Sequence, residues 1–196
     1  FKSIFIAGLF FFFFAIVTGG GSCIGRCTAH ELSALGSNVA VVGRKQEKLS
    51  AVQKEISDAG GNASTHICDI REEDQVCATV EAILKTHNRI DYLVNNAGGQ
   101  FSAPLEKISA KGWDAVVRNN LTRGFLFARE CYTQWMKAQR GEGDHAIVNI
   151  IADMWHGMPG MGHSGAARAG MLNFTETAAL EWAPVRSNAV APGWIA

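Results

Sequence analysis

Short apolar runs alternate with amphipathic stretches along this chain. The runs read as strands at Ala15–Val17, Asn38–Val42, Ser64–Ile67, Tyr92–Val94, Ala146–Ile151 and Asn188–Ala191. Helical periodicity between them covers Arg26–Leu35, Gln46–Ala59, Glu72–Thr86, Leu121–Lys137 and Gly165–Trp182. Gly36, Gly60-Gly61 and Gly141-Glu142-Gly143 punctuate the ends of elements. Strands this apolar, each joined to the next through a helix by short connections, predict an α/β fold. A parallel sheet is expected with helices on both faces. No long linker, low-complexity tract or further repeat interrupts the rhythm, so residues 1–196 read as one domain.

Composition agrees and removes some functions. The chain has 196 residues, 47% hydrophobic, with 21 glycines, enough for one sizeable core. Basic and acidic residues balance at 18 each, without a basic block or tail, so no nucleic-acid partner is expected. The five cysteines (Cys23, Cys27, Cys68, Cys77, Cys131) form no C-x-x-C pair. No histidines stand at zinc-ligand spacing. They read as reduced thiols of a cytoplasmic protein, and no metal site is expected. The N-terminus is more ambiguous. Phe5–Val17 is apolar throughout, carries five consecutive phenylalanines (Phe10–Phe14) and follows Lys2, as the core of a signal peptide would. It is shorter than the roughly 20 residues of a membrane span. Cleavage after Thr18-Gly19 would remove the first strand. We read the run as a lead-in plus the first buried strand.

The chemistry concentrates where strands end. Strand one runs into Thr18-Gly19-Gly20-Gly21-Ser22-Cys23-Ile24-Gly25, and that turn opens a helix. A dinucleotide pyrophosphate needs this order. Glycines let the backbone approach the phosphates, and free N–H groups at a helix start carry partial positive charge. After strand two stand Gly43-Arg44-Lys45, where NAD-specific folds usually carry an acidic residue for the ribose. Arg44, with Lys45, suits a 2′-phosphate instead, so NADP(H) is the expected cofactor. Asp69-Ile70 follows strand three; the carboxylate either accepts from an adenine amino group or caps the next helix. Asn95-Asn96-Ala97-Gly98 ends strand four, leaving room for a cofactor, although Asn96 serves equally well as a tie between strands.

These segments, with Asn119-Asn120-Leu121 and Ala191-Pro192-Gly193, resemble the short-chain dehydrogenase/reductase family from residue 14 onward. The strings Asn95–Phe101, Ile108–Trp113, Ile147–Ile151 and His163–Gly170 are similar to the trans-2-enoyl-CoA reductase branch and its bacterial relatives. The resemblance implies a Rossmann-like, doubly wound sheet. It places NADPH on Thr18, Gly19, Gly21, Ser22, Cys23, Ile24, Gly25, Arg44, Lys45, Asp69, Ile70, Asn96, Ala97, Gly98, Pro192 and Gly193. It implies a homodimer or homotetramer built on the two long helices. The cytoplasm is the implied location, or the peroxisome in a eukaryote.

Its catalytic set carries over only in part. Family members use a serine with a Y-x-x-x-K pair. Here the serine position falls on Ile151 or Ala152, and Ser164 and Arg168 stand in register with the tyrosine and lysine. The tyrosine that the enoyl-CoA reductase branch carries further along is Leu172 here, and its lysine is Glu176. The only tyrosines are Tyr92 and Tyr132. Asn120 matches the family's active-site asparagine, held where a helix bends; an N-cap role is the alternative. Asp153, His156 and His163 are read as loop residues and candidate proton donors.

Loss of the phenolate disfavours alcohol oxidation, which needs a base. Reduction of a conjugated C=C needs donors for an enolate oxygen, and Ser164 and Arg168 supply them. The expected activity is hydride transfer from NADPH to a trans-2-enoyl-CoA or related unsaturated acyl-CoA. An NADP-dependent oxidoreductase of hydrophobic alcohols and a catalytically inactive cofactor-binding fragment are the alternatives. Against the family pattern, the connection Glu181–Asn188 is short, and the lid, last helix and last strand expected after Pro192-Gly193 are missing, as in a C-terminally truncated chain.

Overall fold

The computed structural model describes residues 13–139 and 143–193. Expectations placed on residues 1–12, 140–142 and 194–196, including most of the phenylalanine run, lie outside the described residues. Six strands form one parallel sheet: β1 (Phe14–Thr18), β2 (Asn38–Gly43), β3 (Ala63–Ile67), β4 (Tyr92–Asn95), β5 (Ala146–Ile150) and β6 (Arg186–Val190). Their spatial order is β3-β2-β1-β4-β5-β6. The order reverses direction between β1 and β4, and a crevice for ligands opens at such a point, beyond the strands' carboxyl ends.

The helices are α1 (Cys23–Ala34), α2 (Gln46–Asp58), α3 (Glu73–His87), α4 (Ala110–Val117), α5 (Arg123–Cys131) and α6 (Gly162–Glu181). Period-two alternation divides the core between the two faces of the sheet. Phe14, Ile16, Ala40, Val42 and Leu93 pack with Val76, Val80 and Ile83 of α3 and Phe127 of α5. Val17, Val39, Val41 and Val94 pack with Ala29, Leu49, Val52 and Ile56 of α1 and α2. Every residue of β1 is buried, as expected of a central parallel strand. The edge strand β6 alternates exposed and half-buried positions.

Some boundaries differ from the sequence reading. Helix α1 begins at Cys23, three residues earlier than expected, because Ser22 is fully extended and the chain turns directly into the helix. The long helix predicted at Leu121–Lys137 begins instead at Ala110. It is continuous in αR geometry through π turns at Arg118–Thr122 and Tyr132–Met136. Ser109 caps its start, the hydroxyl accepting from Gly112 N at 3.1 Å.

Candidate functional site

The carboxyl ends of β1 and β4 are laced together by Thr18 and Asn96. The Thr18 hydroxyl accepts the N–H groups of Asn96 and Ala97, both at 3.0 Å, and donates to Val94 O at 3.3 Å. Asn96 Nδ2 donates to Thr18 O at 3.0 Å and to Gly19 O at 3.4 Å. The two strand ends that the sequence singled out therefore form one rigid edge. Asn96 serves as the structural tie while also lining the cleft. Gly25 is required by close approach: a Cβ there would lie 2.4 Å from Gly19 O and 2.5 Å from Asn96 Nδ2.

Over this edge lies a cleft of about 420 Å³, lined by Gly19, Gly21–Ile24, Arg44, Lys45 and Asn96–Gly98. The residues present fit a phosphorylated dinucleotide. Backbone N–H groups open α1, cations stand at the β2 end, and the floor is free of side chains at Gly19, Gly21 and Gly98. Lys48, one turn into α2, joins Arg44 and Lys45; sequence reading missed it, although its spacing after Lys45 puts it on the same side of the helix.

Cys23 is the misfit. Its φ of +48° is a left-handed conformation that costs an L-residue roughly 1–2 kcal/mol. Its thiol occupies the lining where glycine would leave space. Cys23→Gly is expected to bind NADPH about ten-fold tighter, roughly 1.4 kcal/mol, because the thiol no longer crowds the phosphates; the relieved backbone strain acts on free and bound protein alike and raises stability instead. Fluorescence titration of the two proteins checks this, and equal affinities would refute the crowding.

Asp69 does not cap α3; Glu72 holds that position. The Asp69 carboxylate folds back on Arg71, accepting its backbone N–H at 3.0 Å and its Nε at 2.7 Å. The guanidinium holds the carboxyl below the usual range. Ile70, beside it, lines the cleft.

A second cavity adjoins the first and brings Ser164 and Arg168 together with Ile24, Asn96, Pro192 and Gly193. Ser164 and Arg168 lie one turn apart on α6 and so share a face. Arg168 Nη1 donates to Ile150 O at 2.7 Å, and its Nε is buried without a partner among the described residues. Burial lowers the guanidinium pKa, yet the group keeps its charge at neutral pH. A Cβ on Gly98 would lie 2.8 Å from Arg168 Nη2 and 2.6 Å from Asn120 Oδ1, so the Asn-Ala-Gly turn admits nothing larger there.

Asn120 is no N-cap: it lies mid-helix in the first π turn, buried. Its amide clasps Gly99, accepting from Gly99 N at 3.1 Å and donating to Gly99 O at 2.9 Å. A buried relay beneath the site runs from Asn95 through Asn149 to Thr175.

Of the three candidate proton donors, Asp153 and His156 lie in the loop after β5, both exposed. Asp153 lines a third cavity with Met158, Pro159 and Met161. His163 is not a loop residue. It sits in the first turn of α6, fully buried, with its ring edge-on to Phe101 and its Nδ1 accepting the Ser164 N–H at 2.9 Å. It therefore shapes the turn that presents Ser164. Neither tyrosine joins the cavity: Tyr132 is buried and stacks on Trp182, and Tyr92 belongs to β4. No group of three or more potential metal ligands occurs among the described residues. None of their helices is long and apolar enough to cross a membrane.

Comparison with known proteins agrees with this geometry. The family model described as short chain dehydrogenase matches residues 14–196. A probable 2,4-dienoyl-CoA reductase of Bacillus subtilis, named as producing (2E)-enoyl-CoA, is 36% identical over 91% of this chain and 70% of its own length. A peroxisomal 2,4-dienoyl-CoA reductase of Danio rerio, named as producing (3E)-enoyl-CoA, is 34% identical over 90% of this chain and 59% of its own. Among solved structures, the citronellol catabolism dehydrogenase AtuB of Pseudomonas aeruginosa PAO1 superposes with a TM-score of 0.92. It is 58% identical over 100% of this chain and 80% of that one.

Proposed function

The chain belongs to the short-chain dehydrogenase/reductase family, an oxidoreductase family that uses NAD(P)(H), and on that premise we propose that it reduces an unsaturated acyl-CoA with NADPH, 2,4-dienoyl- and trans-2-enoyl-CoA thioesters being the preferred class. The observation that carries this reading is a cavity that offers hydrogen-bond donors without a side-chain base. Ser164 and Arg168 face the space beside the cofactor edge, and among the described residues the cavity lining includes no tyrosine, lysine or histidine. The names of the bacterial and peroxisomal relatives support the same class.

Bound nicotinamide supplies the hydride. Gly19–Gly25 and Asn96–Gly98 would hold the dinucleotide, and Arg44 with Lys45 and Lys48 would hold its 2′-phosphate. Hydride addition to the conjugated system would put negative charge on the thioester oxygen, and a proton taken up at carbon from solvent would complete the reduction. The Ser164 hydroxyl donates to that oxygen and the Arg168 cation stabilises it, both pre-placed on one helix face. Asn120 keeps the Gly98-Gly99 turn in place through its two hydrogen bonds to Gly99. A second copy of the chain would pack on α5 and α6, where half-buried Phe125 and Phe174, with Trp182 just after α6, meet edge to face.

The test is NADPH consumption with a 2,4-dienoyl-CoA and a trans-2-enoyl-CoA, against NADP⁺ reduction with citronellol. Faster turnover of the thioesters is expected. Alcohol turnover alone would favour a second reading, a hydrophobic-alcohol dehydrogenase, which the 58% identity to AtuB supports. Cofactor binding without any turnover would leave the inactive-fragment reading. Arg44→Ala is expected to weaken NADPH by about 10- to 100-fold and NADH hardly at all, one lost hydrogen bond to a charged phosphate being worth roughly 1.5–3 kcal/mol. Equal losses for both nucleotides would refute the 2′-phosphate assignment.

A further inference from the structure

A cavity of about 430 Å³ opens at the amino ends of β2 and β3, opposite the cofactor edge. β2 spans six residues, so the two lie about 20 Å apart at roughly 3.3 Å per residue. The last turns of α1 and α2 converge on it. Gly36 and Gly60 follow these helices with φ of +98° and +83°, turning each chain back toward its next strand. Ser33 Oγ of α1 lies where a Cβ on Gly61 would stand, so the bare backbone there lets the two helix ends meet. The negative ends of both helix dipoles therefore face one space. The carbonyls of Ala34 and Ala59, both in the lining, accept no hydrogen bond among the described residues. Neither helix has a basic residue in its last turn, whereas α3 carries Lys85 and His87 there. The described lining includes no lysine or arginine.

Two side chains sharpen the chemistry. Ser37 lines the cavity and is 3% exposed, and its hydroxyl has no partner among the described residues. A buried hydroxyl left over in this way calls for a partner from outside. The Glu31 carboxylate is exposed in the same lining and pairs with no described cation. His30, the other titratable group there, is tied to Glu55 at 2.9 Å. Asn62 Nδ2 donates to Asn38 Oδ1 at 2.7 Å, which leaves Asn62 Oδ1 as one more acceptor. The group that suits such a set carries a positive charge, several N–H donors and no acceptor, as an ammonium does. Ile56, Ala34 and Ala59 offer an apolar wall for an alkyl stem. We propose that this cavity binds a small primary aliphatic amine in its ammonium form, its N–H groups donating to Ser37, Glu31 and the helix-end carbonyls. The site is distinct from the cofactor cleft and from the Ser164–Arg168 cavity, and it stands whether or not the chain reduces an acyl-CoA.

The probe is n-butylammonium chloride, titrated at constant ionic strength into the isotope-labelled full chain while backbone amides are followed by NMR. Saturable shifts are expected at Gly36, Ser37, Gly60 and Gly61. n-Butanol and butyrate, which keep the carbon count and lose the ammonium, should shift none of them at the same concentrations. Affinity should be about ten-fold weaker in Ser37→Ala, which loses one hydrogen bond to a charged group. It should be about three-fold weaker in Glu31→Gln, an exposed pair being worth less. A melting curve separates this role from a structural one. The Ser37 hydroxyl has no partner among the described residues, so Ser37→Ala should melt no lower than wild type. A lowered Tm would show that the hydroxyl is already satisfied inside the protein and would overturn the assignment. Shifts that spread over surface carboxylates without saturating, equal shifts with butanol, or wild-type affinity in Ser37→Ala would overturn it as well.

Discussion

Replacing Arg168 with methionine is expected to lower kcat by about 10²- to 10³-fold, the usual loss when one pre-placed oxyanion donor is removed. The side chain is positioned for that role by two constraints. Its Nη1 is anchored on Ile150 O at the end of β5, and its Nη2 lies against the bare backbone of Gly98. The anchored fork cannot swing toward solvent. Its buried Nε has no partner among the described residues and marks a donor left over beside the cavity. Methionine keeps the unbranched stem and removes the guanidinium with its charge. It also strips a donor from Ile150 O, so some loss of stability is expected, and a melting curve separates that from catalysis. Arg168→Lys provides the contrast, restoring the cation without the fork. It should recover most of kcat, whereas a structural role that needs the fork would leave lysine as poor as methionine. A methionine variant within ten-fold of wild type would remove Arg168 from the chemistry.

The fold was largely legible in the sequence because its two periodicities are clean. Strands buried on both faces are unbroken apolar runs, and the glycine-rich turn after β1 has few other uses. What escaped had physical causes. The π turn at Arg118–Thr122 inserts an extra residue among Asn119, Asn120 and Thr122, all weak helix formers, so helical periodicity faded where the helix in fact continues. Asn120 looked like a cap for the same reason. His163 looked like a loop residue because glycines precede and follow it, yet Gly162 and Gly165 sit inside α6 and pack against Leu105 and Met158. Most residues that line the cleft were readable from local strings. The meeting of Arg44, Arg71 and Arg123 around one cavity was not, since they are far apart in sequence and come together only through the topology.

Asp91 is the largest structural expectation, and no motif pointed to it. The carboxylate is 2% exposed at the amino end of β4, beneath the sheet and opposite the cofactor edge. Its Oδ2 accepts the Phe14 N–H at 2.7 Å and Arg89 Nε at 2.7 Å, and its Oδ1 accepts Arg89 Nη2 at 2.8 Å. Its own backbone carbonyl accepts the Ala146 N–H, so one residue ties β1, β4 and β5 at their starts. Asp91→Ala leaves the buried Phe14 N–H without a partner, worth roughly 1–3 kcal/mol. It also deprives Arg89 of its counter-ion; breaking a fully buried pair costs roughly 3–5 kcal/mol. Arg89 is 41% exposed and recovers water, so the lower end applies. The expected loss is about 3 kcal/mol, near 10 °C in Tm for a chain of this size. Asp91→Asn keeps the acceptor for Phe14 and should lose about half as much. Because the site lies at the other end of the strands, NADPH affinity should hold in both variants below their melting points. An alanine variant that melts within 2 °C of wild type, by the same conversion a loss of about 1 kcal/mol or less, would show that Asp91 does not clamp the sheet.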